Sequence, residues 1–285
     1  MSKAFCKPFD ITYVMRVIYQ GRGTIVPHES FWIMRPFNAI YLCTFGFFIA
    51  LLVISSLLLR DKSEKTKRTI LCVACIITAV GFFVYKYFLS IDVEYDQVAY
   101  ASMGGFNWWG ELPLHMCNIN MILIPLGVWR RNRSLMSFCF FTGTLGAMMA
   151  LAMPSMGFAG YPLFMPRMIG FWGTHFMVLI ESLALVTYGL YRPKYKDLPK
   201  TTLTLLIVAF CIFLIDVFIR TSGLNPRANY FFAMETEGNP VLNIFHNLIP
   251  VPFVYLIPCL IILVPYMSLI ILGFHIADKR RKPDQ

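Results

Sequence analysis

Ten residues, Glu111 to Asn120 (ELPLHMCNIN), bring a carboxylate, an imidazole, a thiol and two carboxamides together at the head of an apolar stretch of membrane-crossing length. Ionisable groups are costly in hydrocarbon, so a cluster of them there marks a functional site by default. The chemistry on offer is nucleophilic. A thiol can attack an ester carbonyl and hold the acyl group as a thioester, provided that a base takes its proton. Desolvation keeps a thiol at this depth protonated on its own, so Cys117 needs an imidazole.

On a straight helix that imidazole is not His115. At about 100° per residue, Glu111, His115 and Asn118 share one face, while Cys117 is turned about 200° from His115. The base must come from another element, and His175, in FWGTHF on a later apolar stretch, qualifies. Cys117 lies about seven residues, and His175 about eight, below the outer ends of their stretches, so at ~1.5 Å per residue both sit roughly 10 to 12 Å deep on one side. Cys117 is then the expected nucleophile and His175 the general base. An oxyanion would need donors; with backbone amides taken up by the helix, Asn118, Asn120, Asn229 and Tyr230 are the side-chain candidates. Glu111, His115 and Asn118 form a polar stripe expected to orient substrate or hold the site. Pro113 suits a first helical turn, where its missing N–H does no harm.

The elements that position these groups follow from composition. A hydrophobic fraction of 58%, a charged fraction of 14% and a mean hydropathy of +0.64 define an integral membrane protein. Apolar runs of about 20 residues, enough to cross ~30 Å of hydrocarbon, occur at Asn38–Leu59, Thr69–Leu89, Gly110–Trp129, Ser134–Met153, Met168–Leu190, Thr201–Ile219 and Phe253–Phe274. The sequence therefore predicts an all-α, polytopic bundle of about seven transmembrane helices. It forms one domain, 38–274, after an extracytoplasmic or interfacial segment, 1–37, and before a basic tail, 275–285. There is no internal repeat. Gly143 with Ala147 and Gly146 with Ala150 are small-xxx-small pairs that let a neighbouring helix come close.

Basic residues stay on the cytoplasmic side. Segments 60–68, 130–133, 191–200 and 275–285 hold five, three, four and four of them, whereas 91–110 holds none and 154–167 only Arg167. The C-terminus is expected in the cytoplasm and the N-terminus outside, although Lys3, Lys7, Arg16, Arg22 and Arg35 run against the rule. The net charge of +10 is dispersed over loops that abut the bilayer. It reads as a topology signal and a contact for anionic lipid, not as a nucleic-acid surface. Residues 1–37 lack the apolar core of a cleavable signal peptide, so the first span is expected to be its own insertion signal; Ile11–Tyr19 alternates in polarity, as an interfacial segment does. Seven of the eight cysteines fall inside spans and only Cys6 lies in the outer tail, so no disulfide framework is expected. Cys72 and Cys75 have CxxC spacing but no polar companions and read as packing residues.

Other ionisable groups gather at the outer half: Lys86, the i,i+4 pair Asp216 and Arg220, and, nearer mid-depth, Glu181. They line a polar cavity open to the outer leaflet, or else Lys86 and Arg220 only reach for the interface and Asp216 only pairs with Arg220. Two outer connections, 91–110 (Asp92, Glu94, Asp96, Trp108, Trp109) and 220–252, are long enough for lids, though the tryptophans suit an interfacial belt equally well.

LPLHMCN (Leu112–Asn118), Pro125, His175, Asn229-Tyr230, Gly238-Asn239-Pro240 and Pro250-Val251-Pro252 together resemble the YwaF-like family of bacterial integral membrane proteins. That family is similar to the eukaryotic transmembrane acyltransferases that remodel ether phospholipids. The resemblance covers roughly 38–274. It implies a bacterial cell-membrane location, phospholipid as partner and substrate, and a catalytic Cys and His, here Cys117 and His175, with no cofactor or metal. The chain departs from the family at Arg227-Ala228, where Gly-Thr is usual, and at Val251, where Trp is usual. The expected function is transfer or hydrolysis of a phospholipid acyl chain. Two alternatives stand beside it: a lipid or small-molecule transporter or receptor whose polar cluster lines a path, and a zinc-dependent intramembrane hydrolase using His115, His175 and His246.

Overall fold

The computed structural model describes residues 32–93, 105–154 and 157–281. Cys6, the Ile11–Tyr19 segment, Glu94, Asp96 and most of the expected 1–37 segment lie outside them. Eight α-helices account for most of the described chain: α1 (Ala39–Leu58), α2 (Glu64–Ser90), α3 (Asn120–Trp129), α4 (Arg133–Ala152), α5 (Pro166–Thr187), α6 (Leu198–Thr221), α7 (Pro240–Leu248) and α8 (Leu260–Arg281). Six of these, all but α3 and α7, are long and apolar enough to cross a membrane. The protein is an all-α polytopic membrane bundle.

The helices begin where short polar side chains can accept from their unpaired first-turn amides. Asn38 Oδ1 takes the Tyr41 N–H at 3.0 Å, Ser63 Oγ the Thr66 N–H at 3.2 Å and Asn132 Oδ1 the Leu135 N–H at 3.1 Å. Pro166 stands in the first turn of α5, where no N–H is needed. Two-residue strands, β1 (Ile33–Met34) and β2 (Tyr161–Pro162), pair antiparallel and tie the approach to α1 to the connection before α5.

α4 and α5 form the centre. Of their apolar windows 61% and 67% is buried, against 33% or less for the other crossing helices, whose remaining faces are left to lipid. Glycines let the central helices approach. A methyl group on Gly170 of α5 would collide with the Tyr85 ring of α2, and one on Gly143 of α4 would collide with Ser182 of α5.

The third crossing departs from expectation. Gly110–Trp129 is not a helix throughout: Trp108–Gly110 is a short 3-10 turn, residues 111–119 run through turns, and α-helix begins only at Asn120. Pro113 sits inside the irregular stretch rather than in a helical first turn. The segment still travels along α2, because Glu111 pairs with Lys86 while Cys72 Sγ lies 4.0 Å from the Pro125 carbonyl. Fourteen residues of helix, about 21 Å, separate Lys86 from Cys72. Among the described residues the bundle thus has six long helices and one further apolar segment made half of turns and half of helix.

Candidate active site

Cys117 sits in the irregular stretch three residues before α3, and His175 lies in the first half of α5. The structure brings them together: Cys117 Sγ is 3.4 Å from His175 Nε2. His175 Nδ1 lies 2.7 Å from the Phe171 carbonyl oxygen one helical turn earlier. A carbonyl can only accept, so Nδ1 carries the proton and Nε2 presents its lone pair to the thiol. Packing fixes the ring: its centroid is 4.4 Å from that of Phe171, which stacks on Phe158 at 4.4 Å.

The broken helix matters for the backbone. The N–H groups of Cys117 and Asn118 donate to no backbone carbonyl among the described residues. They belong to the unpaired amides that precede a helix, at the positive end of the α3 dipole, where anions are stabilised. The expectation that backbone amides are committed to a helix here is therefore corrected, and two N–H donors beside the Cys117 side chain are left open.

The same break corrects the helical face. His115 and Cys117 are not on opposite sides: both line one cavity of about 320 Å³, together with Gly146 and Met149 of α4, Met153 just after it and Phe171 of α5. A cavity of that size falls in the range of small-ligand sites. Two of its lining residues, Met149 and Met153, are exposed at the molecular surface. Gly146 abuts Cys117 directly. A methyl group there would stand 3.3 Å from the Cys117 nitrogen and 3.4 Å from its Cβ.

Two clamps hold the irregular stretch. Glu111 forms an ion pair with Lys86, whose ammonium lies 4.7 Å from the centre of the Tyr85 ring; Lys86 is buried and does not reach for the interface. On the other side the Tyr230 hydroxyl accepts from the Leu112 N–H at 2.8 Å and donates to the Trp109 carbonyl at 3.0 Å.

The remaining expected residues divide. Asn118 is buried beside Cys117, and its Oδ1 has no hydrogen-bond partner among the described residues. Asn120 donates to the Met116 carbonyl at 2.6 Å, and its Oδ1 is likewise unpartnered. Tyr230 is spent on the clamp, and its own N–H goes to Asp216 at 3.0 Å, while its ring meets that of His115 edge-on at 5.1 Å. Asn229 organises the loop instead of the cavity: its Nδ2 reaches the Glu235 carbonyl at 2.9 Å and Glu237 at 2.8 Å, and its Oδ1 accepts from Met234 and Glu235. Arg220 bonds the Ala228 carbonyl and Glu235. The third histidine of the metal alternative, His246, faces Tyr255 at 5.2 Å. Among the described residues no three His, Cys, Asp or Glu side chains are grouped for a metal ion.

Two contributors to the cavity carry no signal in the sequence. Phe231 and Phe232 line it from the 222–239 connection with φ of 57° and 55°. That left-handed backbone costs an ordinary residue roughly 1–2 kcal/mol and tends to cluster where function requires it. Asn239, the N-cap of the exposed amphipathic helix α7, completes the wall.

No curated protein and no solved structure matches the chain. Residues 32–271, which include both clamps, the Cys–His pair and every residue of the cavity, match the family model of a group of transmembrane proteins, and the chain belongs to the TMEM164 family.

Proposed function

We propose that this protein is a membrane-embedded acyl-lipid enzyme that transfers or hydrolyses a phospholipid acyl chain through a thioester on Cys117. The observation that carries this reading is the 3.4 Å approach of Cys117 Sγ to an imidazole nitrogen whose tautomer leaves it free to accept a proton. The resemblance of LPLHMCN and its companions to membrane acyltransferases supplies the substrate class.

In the first half-reaction Nε2 of His175 takes the thiol proton as sulfur attacks the ester carbonyl carbon. The carbon–sulfur bond forms, and the negative charge passes to the carbonyl oxygen. The N–H groups of Cys117 and Asn118 are placed to receive that oxygen. The carbon–oxygen bond then breaks, and His175 returns the proton to the departing lysolipid alkoxide. In the second half an acceptor hydroxyl, or water, gives its proton to Nε2, attacks the thioester and releases the thiolate, which regains the proton. The cavity's methionines and phenylalanines suit an acyl chain arriving sideways from the leaflet. The basic-loop asymmetry supports an extracytoplasmic position for this end of the bundle, with the C-terminus in the cytoplasm.

The test uses purified full-length protein in mixed micelles with a phospholipid carrying a labelled acyl chain and a lysophospholipid acceptor. Label should move to the acceptor or to free fatty acid, and Cys117→Ala should abolish that. Label that moves equally well without the thiol contradicts the reading. Lipid binding or movement with no acyl transfer would place the protein among transporters or receptors.

A further inference from the structure

The opposite end of the bundle holds a second cavity, of about 420 Å³, between the end of α1, the start of α2 and the end of α5. Lys67 on its rim and Lys86 beside the Cys–His site are on the same helix, 19 residues or about 28 Å apart, so the cavity lies at the other membrane interface. Its walls differ with depth. Leu52, Val53 and Leu57 line the part nearer the bundle's middle, while Arg60 and Lys67 stand at the rim. The Ser56 hydroxyl bonds that of Thr187 at 2.9 Å and joins α1 to α5 across the floor.

The two cations are held together and lack an acidic partner. Lys67 Nζ donates to the Arg60 carbonyl at 3.0 Å, which spends one of its three donors. Among the described residues no carboxylate pairs with Arg60 or Lys67; Glu64 is taken by Arg68 and Asp61 is exposed on the connecting turn. The 60–68 segment as a whole carries five basic residues against two acidic ones. Positive charge at the interface above an apolar groove open to hydrocarbon complements a molecule with an anionic head and a hydrocarbon tail.

We propose that this cleft binds one anionic glycerophospholipid of the adjoining leaflet, with its phosphate on Arg60 and Lys67 and an acyl chain along Val53 and Leu57. The site is distinct from the Cys117 cavity and does not depend on acyl transfer. A free phosphate would use the cations but leave the groove unfilled.

Native mass spectrometry and thermal unfolding of the full-length protein in mild detergent, titrated with dioleoylphosphatidylglycerol or dioleoylphosphatidylcholine, test the proposal. The expected result is one retained phosphatidylglycerol, bound at least tenfold more tightly than phosphatidylcholine, with a rise in melting temperature. R60Q/K67Q should weaken that binding tenfold or more. Val53→Trp, which fills the groove and keeps both charges, should do the same, and R60Q alone, which keeps the Lys67 contact to the chain, should give an intermediate loss. K62Q/K65Q removes two exposed charges outside the cleft and should bind as wild type, as should Cys117→Ala. Wild-type affinity in R60Q/K67Q, equal loss in K62Q/K65Q, equal retention of the two lipids, or displacement by millimolar inorganic phosphate would each overturn it.

Discussion

The two ends of the bundle treat buried polar groups in opposite ways. Where α4 and α6 begin, everything is partnered: Arg133 grips both oxygens of Asp197 at 2.7 Å, the Tyr191 hydroxyl lies 2.8 Å from Ser137 and 3.2 Å from Asp197, and Ser137 meets Thr201 at 2.5 Å. From Cys117 inward through the bundle, by contrast, Asn118 Oδ1, Asn120 Oδ1, Ser182 Oγ and Glu181 Oε2 are buried with no hydrogen-bond partner among the described residues. A saturated network fixes a structure, whereas unfilled acceptors in a low-dielectric interior are costly and mark a place that awaits water or substrate. The first end holds the fold, and the second leaves capacity for chemistry.

If that division is right, substitutions at the two ends should separate activity from stability. The largest effect is expected at the base. His175→Ala should lower acyl turnover by about 10²–10⁴-fold, the usual worth of a general base, while the melting temperature in detergent changes little. The clamp beside Glu111 comes next. Lys86→Met removes one member of a buried ion pair and should cost about 3–5 kcal/mol of stability, and adding Glu111→Gln should restore much of it; a double-mutant cycle by thermal unfolding measures the coupling. Gly146→Leu should push Cys117 away from His175 and lower turnover by about 10²-fold, as an ångström of misplacement can, with α4 still helical by circular dichroism. Tyr230→Phe removes both hydroxyl bonds to the nucleophile's segment and should cost about 1–3 kcal/mol, with a fall in kcat larger than any change in KM. The smallest effect is at the opposite end, where Tyr191→Phe should cost about 1 kcal/mol and leave acyl transfer at the wild-type rate. Loss of activity in that variant would dissolve the contrast.

Much of this arrangement was legible from residue types. Long apolar runs declare crossings because lipid offers their backbones no other partner, and the matched depths of Cys117 and His175 anticipated their meeting. What could not be read was the break in the third crossing. Gly110–Trp129 is as long as its neighbours, its polar residues read as a site rather than as a break, and Pro113 suits a helix start as well as a turn. The difference lies in remote partners with no signature in local sequence: Lys86 pairs with the Glu111 carboxylate, and Tyr230 satisfies the backbone of Leu112 and Trp109. Reading an ideal helix there put His115 and Cys117 on opposite faces and spent the amides that the structure leaves open. Asn229 and Tyr230 were likewise expected at the substrate; the Tyr230 hydroxyl instead holds the segment that carries the thiol, and the Asn229 amide ties together its own loop. Gly146 read as a packing glycine, and only the three-dimensional path of residues 115–118 reveals that it makes room for Cys117.

Intact-protein mass spectrometry after brief incubation with phospholipid tests the thioester most directly. Wild-type protein should gain the mass of one acyl group, labile to hydroxylamine at neutral pH, and Cys117→Ala should gain none. An unmodified wild type under conditions of active acyl transfer, or an adduct that survives in Cys117→Ala, would contradict the account.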